Sequence, residues 1–346
     1  MTSDILAILV IDGIATGAIY VLMGIGLVLI FSVTRVIFVP FGDISAITAL
    51  TLASLEAGRL PGTIKLVIVL AILATLLHVS SLIREKQFHA IGKALVFYLV
   101  VPLLPVATVY LLAERQLPEI ARIALALAIV LPIAPLLDRL VFRPIADASV
   151  LLLLTVAVAL HFAISGINLL FFGPEGFRTE PLSEASFEIF GALVTGQAAL
   201  IVLAAIVLTA ILYVFFELTI IGKALRATAM NRTGARIVGI RPADMGTVAY
   251  LLASTLAAIA GVLIAPSTTM FYDSGFLLGL KAFIGAIFGA MVSYPITAIG
   301  AVIVGLLEAF ASFWSSAYKE VIVFGFLIPV LLWRSLTMTV HEEADE

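Results

Sequence analysis

Four ionisable residues sit inside or against otherwise apolar stretches: Asp12, Asp43, Lys281 and Glu308. A charge at membrane depth is costly and marks an ion or solute path unless something pairs with it. Carboxylates in such places are what a proton or sodium relay would need, and four scattered groups give that chemistry thin support. Other chemistries have less. The chain has no cysteine, which excludes disulfides, thiolate nucleophiles and Cys-ligated metal. Its four histidines, at 78, 89, 161 and 341, show no ligand spacing. No G-x-x-x-x-G-K-[ST], HExxH or GxSxG motif occurs, so neither nucleotide hydrolysis nor hydrolase catalysis is expected of this chain. It reads as no enzyme, with no catalytic, metal or cofactor site, and nothing in it points to nucleic acid.

The elements that hold these residues are membrane spans. The 346 residues are 63% apolar and 12% charged, with a mean hydropathy of +1.24; soluble domains carry about 25% charged residues. The expected fold is an all-α polytopic membrane protein, a single domain over 1–346 with about 10–11 transmembrane helices. The first span, 5–33, has the small-xxx-small pair Gly13 and Gly17, which lets helix backbones approach closely. Asp12 near its start is either an interfacial residue or part of a path. After Arg35 the run VIFVPFGD breaks the helix at Pro40 and Gly42. The break is either a plain loop or irregular backbone lining a cavity, and Asp43 is expected to cap the helix 44–56.

Spans follow at 64–82, 91–113, 119–137, 148–172, 198–218 and 247–265. Pro102 and Pro105 are expected to kink the fourth. His161 and Asn168, in the sixth, are expected to hydrogen-bond to neighbouring helices. The last third, GLKAFIGAIFGAMVSYPITAIGAVIVGLLEAF, is split by Tyr294-Pro295 into a short piece and a longer one. Gly285 and Gly289 form a GxxxG. Short, Gly/Pro-interrupted segments often flank transport paths, so Gly42, Asp43, Gly285, Gly289 and Glu308 are candidate pathway residues. A final span, 318–333, precedes an acidic tail.

Between the spans lies one long basic stretch, 220–245, IIGKALRATAMNRTGARIVGIRPADM. It carries Lys223, Arg226, Arg232, Arg236 and Arg241 against Asp244 alone. Basic loops mark the cytoplasmic face. Arg35, Arg84, Lys86, Lys93, Arg139, Arg143 and Arg334 fall on the same side, while Arg59, Lys65, Arg115, Arg122, Arg178, Lys281 and Lys319 are spread thinly over the other. The C-terminus, with the tail 335–346, is inside. The N-terminus is outside if every span crosses, inside if the short piece near Leu280 is re-entrant. The basic stretch reads as helical up to a stop at Gly239 and Pro242, a shape suited to receive another protein. The acid-rich loop 173–197 belongs outside. From residues alone the chain is a transport-type membrane domain coupled to a cytoplasmic partner.

The ordered motifs resemble the branched-chain amino acid ABC transporter permeases of the LivH type. They are DGIATGAIYVLMGIGLVLIFSVTRVIFVPFGD near the start, LVFRPI at 140–145 and FFGPEGFRTEP at 171–181. GKALRATAMNRTGARIVGI at 222–240, LAAIAGVLIAP at 256–266, the glycine-rich run at 279–310 and YKEVIVFGFLIPVLLWR at 318–334 complete the set. The resemblance implies a bacterial inner-membrane permease subunit with ABC importer architecture, working by alternating access. Its implied partners are ABC ATPase subunits that bind the ATP, a second permease subunit (a homologue or another copy of itself), a periplasmic or lipid-anchored binding protein, and membrane lipid. The binding protein would face loop 173–197 and the 267–279 segment, and would set most of the choice of substrate. It implies that 220–245 is the ATPase-coupling loop, carried by Gly222, Lys223, Ala224, Arg226, Ala227, Ala235, Arg236, Gly239 and Ile240, with Arg226 and Arg236 pairing with acids on the ATPase.

Two departures stand out. The family pattern Asn-Phe-Ala-His-Gly-[Asp/Glu] is replaced here by a segment ending Val39, Pro40, Phe41, Gly42, Asp43, without the Asn and His. The region before Arg143 is longer by about two helices, so 62–116 reads as an extra helix pair. Branched-chain amino acids are the first expected substrates, ahead of other amino acids, short amides or urea. The alternative, from a different class, is a self-sufficient secondary transporter or channel using Asp12, Asp43, Lys281 and Glu308.

Overall fold

A computed structural model describes residues 3–112, 117–189 and 192–338. Arg115 and the acidic tail 341–346 lie outside the described residues. Helix α1 (Ser3–Thr34) is apolar on every side because it runs through the middle of the bundle, with 83% of its most apolar stretch buried inside the chain. Its Gly13 and Gly17 face the backbone of Leu306 and Val302, the close approach expected of that pair.

Residues 35–40 are not helical. They carry the chain back into the bundle, and α2 (Phe41–Glu56) begins at depth. The Ser45 hydroxyl there donates to the Ala257 carbonyl at 2.7 Å, about 15 residues or ~22 Å along the helix that starts at Pro242. Phe38, fully buried, packs edge-on to Phe142 and Tyr250. The break is therefore irregular backbone at membrane depth, tolerated because protein surrounds it.

Helices α3 (Thr63–Arg84) and α4 (Phe88–Leu112) follow. They form the periphery: only 17% of the most apolar stretch of α4 is buried. A π turn at Val96–Val100 precedes Pro102, and the helix continues through Pro105. Helix α5 (Glu119–Ile145) is longer than expected. Of the residues read as a loop, 138–147, those at 138–145 are wound as π and 3-10 turns, because Phe142 is buried in the aromatic cluster with Phe38 and Tyr250. Helix α6 (Val150–Phe172) is capped by Ser149.

The outer loop holds a small antiparallel hairpin that the sequence reading did not anticipate, β1 (Ser186–Ile189) and β2 (Ala192–Thr195). Upstream of it, Phe177 and Met270 exchange backbone hydrogen bonds at 2.9 and 2.8 Å. Helix α7 (Gly196–Leu218) returns to the basic end, where α8 (Ile220–Met230) and α9 (Arg232–Ile237) lie. Helix α10 (Pro242–Ile264) starts with proline in its first turn, where a missing N–H costs nothing.

Helix α11 (Ser274–Phe288) starts in the loop beyond the outer end of α10. It ends where Ala286 and Met291 pack with Val28 of α1, near Thr34, which itself sits beside Gly246 in the first turns of α10. The short piece thus crosses and is not re-entrant. Ser3 lies on the side opposite the basic loops. Helix α12 (Tyr294–Trp314) returns to the outer end. The final span is split into α13 (Lys319–Gly325) and α14 (Leu327–Met338). Pro329 explains the split, since its ring crowds the carbonyl four residues back.

Among the described residues, α1, α3, α4, α5, α6, α7, α10 and α12 are long and apolar enough to cross a membrane. That is eight of the expected ten or eleven; α11 is a shorter apolar helix of 15 residues. The chain is an all-α, multi-pass membrane protein.

Candidate functional site

The basic end carries a two-helix arm. Thr219 caps α8 by accepting from the Gly222 N–H at 2.9 Å, and Asn231 caps α9 by accepting from the Gly234 N–H at 2.8 Å. Gly239 ends α9 at φ +88°, a conformation that suits glycine. The buried face of the arm is Gly222, Leu225, Thr228 and Ala235, with Gly222 against the backbone of Phe215 and Phe216. Arg226 donates to Glu217 at 2.6 Å and to the Phe216 carbonyl at 2.7 Å, so it braces the arm on α7. Arg236 and Lys223 are exposed, Ala224, Ala227 and Ile240 half-buried, and Gly239 exposed at the turn.

The exposed apolar residues Met230, Ile237 and Val238 complete the free face. Sequence reasoning took Ile237 and Val238 only as part of the helical pattern and left out Met230, although three large apolar residues in the most polar stretch of the chain were a readable signal of an exposed face. A second tie fixes the arm's far end. Arg143 donates to the Ala243 carbonyl at 2.5 Å and to the Thr247 hydroxyl at 2.6 Å in the first turns of α10.

At membrane depth Asp43 does not cap its helix. Helix α2 starts at Phe41 after Pro40, with no side-chain cap. Instead the fully buried Asp43 meets His161 of α6 at 2.8 Å, because the loss on burying a carboxylate alone exceeds what a cap would return. His161 stacks on Phe276. The histidine absent from 38–43 is thus met by one arriving from α6. Asn168 donates to the Tyr272 carbonyl at 3.3 Å, in the loop before α11 and not on a neighbouring helix as expected. Of the candidate pathway glycines, Gly42 faces Gly275 and Gly279 and Gly285 faces Ala301, both at helix crossings, while Gly289 sits in the turn that ends α11, against Ser293 and Thr297. An apolar cavity of about 200 Å³ lies beside the irregular segment, against Phe38, Val39 and Phe283.

Glu308 belongs to an ion network. Lys281 reaches Glu308 at 2.6 Å and Glu320 at 3.0 Å; Lys319 reaches the same two at 3.3 and 3.6 Å. The Tyr20 hydroxyl donates to the other Glu308 oxygen at 2.5 Å. The network closes the floor of a cavity of about 360 Å³. Thr195, Ser267 and Ser312 on its wall lie at the ends of α7, α10 and α12 remote from the arm, so the cavity faces the outer side. Asp12 is exposed on its α1 wall. Lys281 and Glu308 thereby neutralise each other at depth, which removes two of the four groups an ion relay would need.

Comparison with known proteins agrees with this architecture. The family model described as "Branched-chain amino acid transport system / permease component" matches residues 9–331. The chain is 30% identical over 210 residues to the high-affinity branched-chain amino acid transport system permease protein LivH of Salmonella typhimurium, covering 57% of this chain and 66% of that one. It is 29% identical over 207 residues to LivH of Escherichia coli K12, with the same coverage. It is 26% identical over 218 residues to BraD of Pseudomonas aeruginosa, covering 61% of this chain and 71% of that one. The chain spans about two thirds of the length of the LivH relatives it matches. No solved structure matches it. A match over nearly the whole chain, on a bundle that carries these motifs in order, shows that the chain belongs to the branched-chain amino acid transport system permease family.

Proposed function

We propose that this chain is the permease subunit of an ATP-driven importer that carries branched-chain amino acids across the bacterial inner membrane by alternating access. The observation that carries the reading is the arm: two capped helices at the basic end of the bundle, braced on α7 and α10, with Met230, Ile237, Val238, Lys223 and Arg236 exposed. An apolar patch rimmed by positive charge is a surface made for a protein partner. The chain has no nucleotide-binding loop, so its driving force has to come through such a surface. ATPase subunits dock there, a second permease subunit completes the membrane unit, and a periplasmic or lipid-anchored binding protein delivers substrate to the outer loops. Nucleotide stays with the ATPase, and this chain needs no cofactor of its own. The candidate pathway residues Asp43 and Glu308 act by holding the helices that move, through their partners His161 and Lys281.

The test is co-purification from detergent-solubilised membranes. Wild-type chain is expected to bring down an ATPase subunit. Ile237→Asp with Val238→Asp is expected to reduce recovery by about tenfold or more, since central apolar contacts carry most of an interface's energy. Both positions are exposed, so the fold stays intact. Arg226→Glu is expected to fail differently, by loosening the arm from α7. Undiminished recovery with the aspartate pair would remove this face from the coupling surface.

A further inference from the structure

At the basic end of the bundle a cavity of about 140 Å³ lies between the arm and the core. Three spans meet it at their ends. Thr34 is the last residue of α1, Pro242 the first of α10, and Ala146 directly follows α5; all three line the cavity. That places it at the level of the phospholipid headgroups on the basic side. Its wall carries the guanidiniums of Arg143, Arg232 and Arg236. Arg143 is committed: it lies 3.7 Å from the buried Asp138 and donates to the Ala243 carbonyl and the Thr247 hydroxyl. Arg232 is not. Its Nε–H is buried and has no acceptor, and neither Arg232 nor Arg236 makes a hydrogen bond or ion pair among the described residues.

A buried charged donor left without an acceptor is costly, so the wall is suited to an oxyanion. The other acid on it, Asp147, is exposed and pairs with neither guanidinium among the described residues. At about 140 Å³ the space is below that of metabolite-sized ligands, roughly 300–1,000 Å³. It is large enough for a phosphate group, since one water needs about 10–15 Å³. Arginine suits phosphate because its planar fork meets two oxygens at once. Shortly beyond Asp147, α6 begins with Val150, Leu151 and Leu152, all exposed. An apolar face beside an arginine-lined cavity at headgroup level can take the chains and the phosphate of one phospholipid together.

We infer that this cavity binds a phosphate group, with Arg232 as its principal anchor and Arg236 at its exposed mouth. The chemistry is shared by the headgroup of an anionic phospholipid and by free phosphate; the apolar start of α6 favours the lipid. The site differs from the docking face of the arm, because Arg232 belongs neither to the brace on α7 nor to the exposed apolar patch. Occupied, it ties α9 to the ends of α1, α5 and α10 through charge-assisted hydrogen bonds.

The experiment uses the transporter purified through this chain, delipidated and placed in phosphatidylcholine nanodiscs, and reads its thermal midpoint. Increasing phosphatidylglycerol is expected to raise the midpoint saturably, by about 2 °C or more. Arg232→Gln is expected to raise the half-saturating fraction at least about tenfold, and the exposed Arg236→Gln to act in the same direction by less. Arg84→Gln with Lys86→Gln, exposed on another basic turn and off the cavity, is expected to leave that fraction unchanged. This control separates the site from the general attraction of anionic lipid to basic loops. Inorganic phosphate added to phosphatidylcholine discs, against chloride at equal ionic strength, separates the two sources. A rise that Arg232→Gln abolishes assigns the cavity to free phosphate; no rise, with the response to phosphatidylglycerol intact, assigns it to the lipid. A phosphatidylglycerol response that Arg232→Gln and Arg236→Gln both leave unchanged overturns the inference. So does a wild type that responds to neither, the result expected if an acidic side chain of a docked ATPase fills the cavity. The wild-type arms and the exposed Arg236 variant decide the matter even if Arg232→Gln folds poorly.

Discussion

Gly42→Val is expected to prevent the permease from folding. A Cβ at position 42 would stand 1.9 Å from the Gly275 carbonyl oxygen and 2.7 Å from the Gly279 nitrogen. Both obstacles are backbone of α11, so no side chain can swing aside. Relief requires α2 and α11 to separate, which also pulls Asp43 from His161 and unseats Ser45 from the Ala257 carbonyl. Ordinary overpacking costs about 1–3 kcal/mol, and a crossing held by backbone contact belongs at or above the top of that range. The measurement is the yield of monodisperse protein after solubilisation, with its thermal midpoint. Gly92→Val on α4 is the control: a Cβ there meets nothing within 4 Å, and wild-type yield is expected. Wild-type behaviour of Gly42→Val would mean that this crossing does not exist as described.

Lys281→Met comes next in size. It leaves Glu308 and Glu320 facing a common space, with only Lys319 and Tyr20 to offset them. Removing one partner of a buried ion pair costs about 3–5 kcal/mol, because the other charge stays buried. The remaining lysine places the expected loss near the lower end, about 3 kcal/mol. Adding Glu308→Gln to Lys281→Met removes the stranded charge while keeping an acceptor for Tyr20. The double variant is expected to recover much of the lost thermal midpoint. A double variant no better than Lys281→Met would show that the network is not a charge pair at depth.

The spans were legible because length and hydropathy alone decide them; α1, α6, α7, α10 and α12 start and end within a few residues of expectation, apart from the start of α10 at Pro242. The end of the arm was legible for a local reason as well, Gly239 and Pro242 being stop signals readable without a fold; the break at Asn231 that splits it into α8 and α9 was not read. What escaped was long-range. Asp43 has the position of a helix cap, and only the packing of α6, 118 residues away, turns it toward His161. Lys281 and Glu308 read as separate charges, and Glu320 went unread, until α11, α12 and α13 bring both carboxylates within 3.0 Å of the Lys281 ammonium. The hairpin 186–195 was missed because two four-residue strands carry too little pattern to stand out from a loop. Residues 138–147 were read as a loop on their charges, although Phe142 belongs to the core.

The central claim is that transport is driven through the arm by an ATPase and not by ions moving through this chain. The most direct measurement is leucine uptake into proteoliposomes containing the transporter purified through this chain with its binding protein, under two driving forces. Uptake that requires ATP, persists with no ion gradient and is lost with Ile237→Asp plus Val238→Asp is the predicted result. Uptake by this chain alone, driven by a proton or sodium gradient with no ATPase present, would contradict the account.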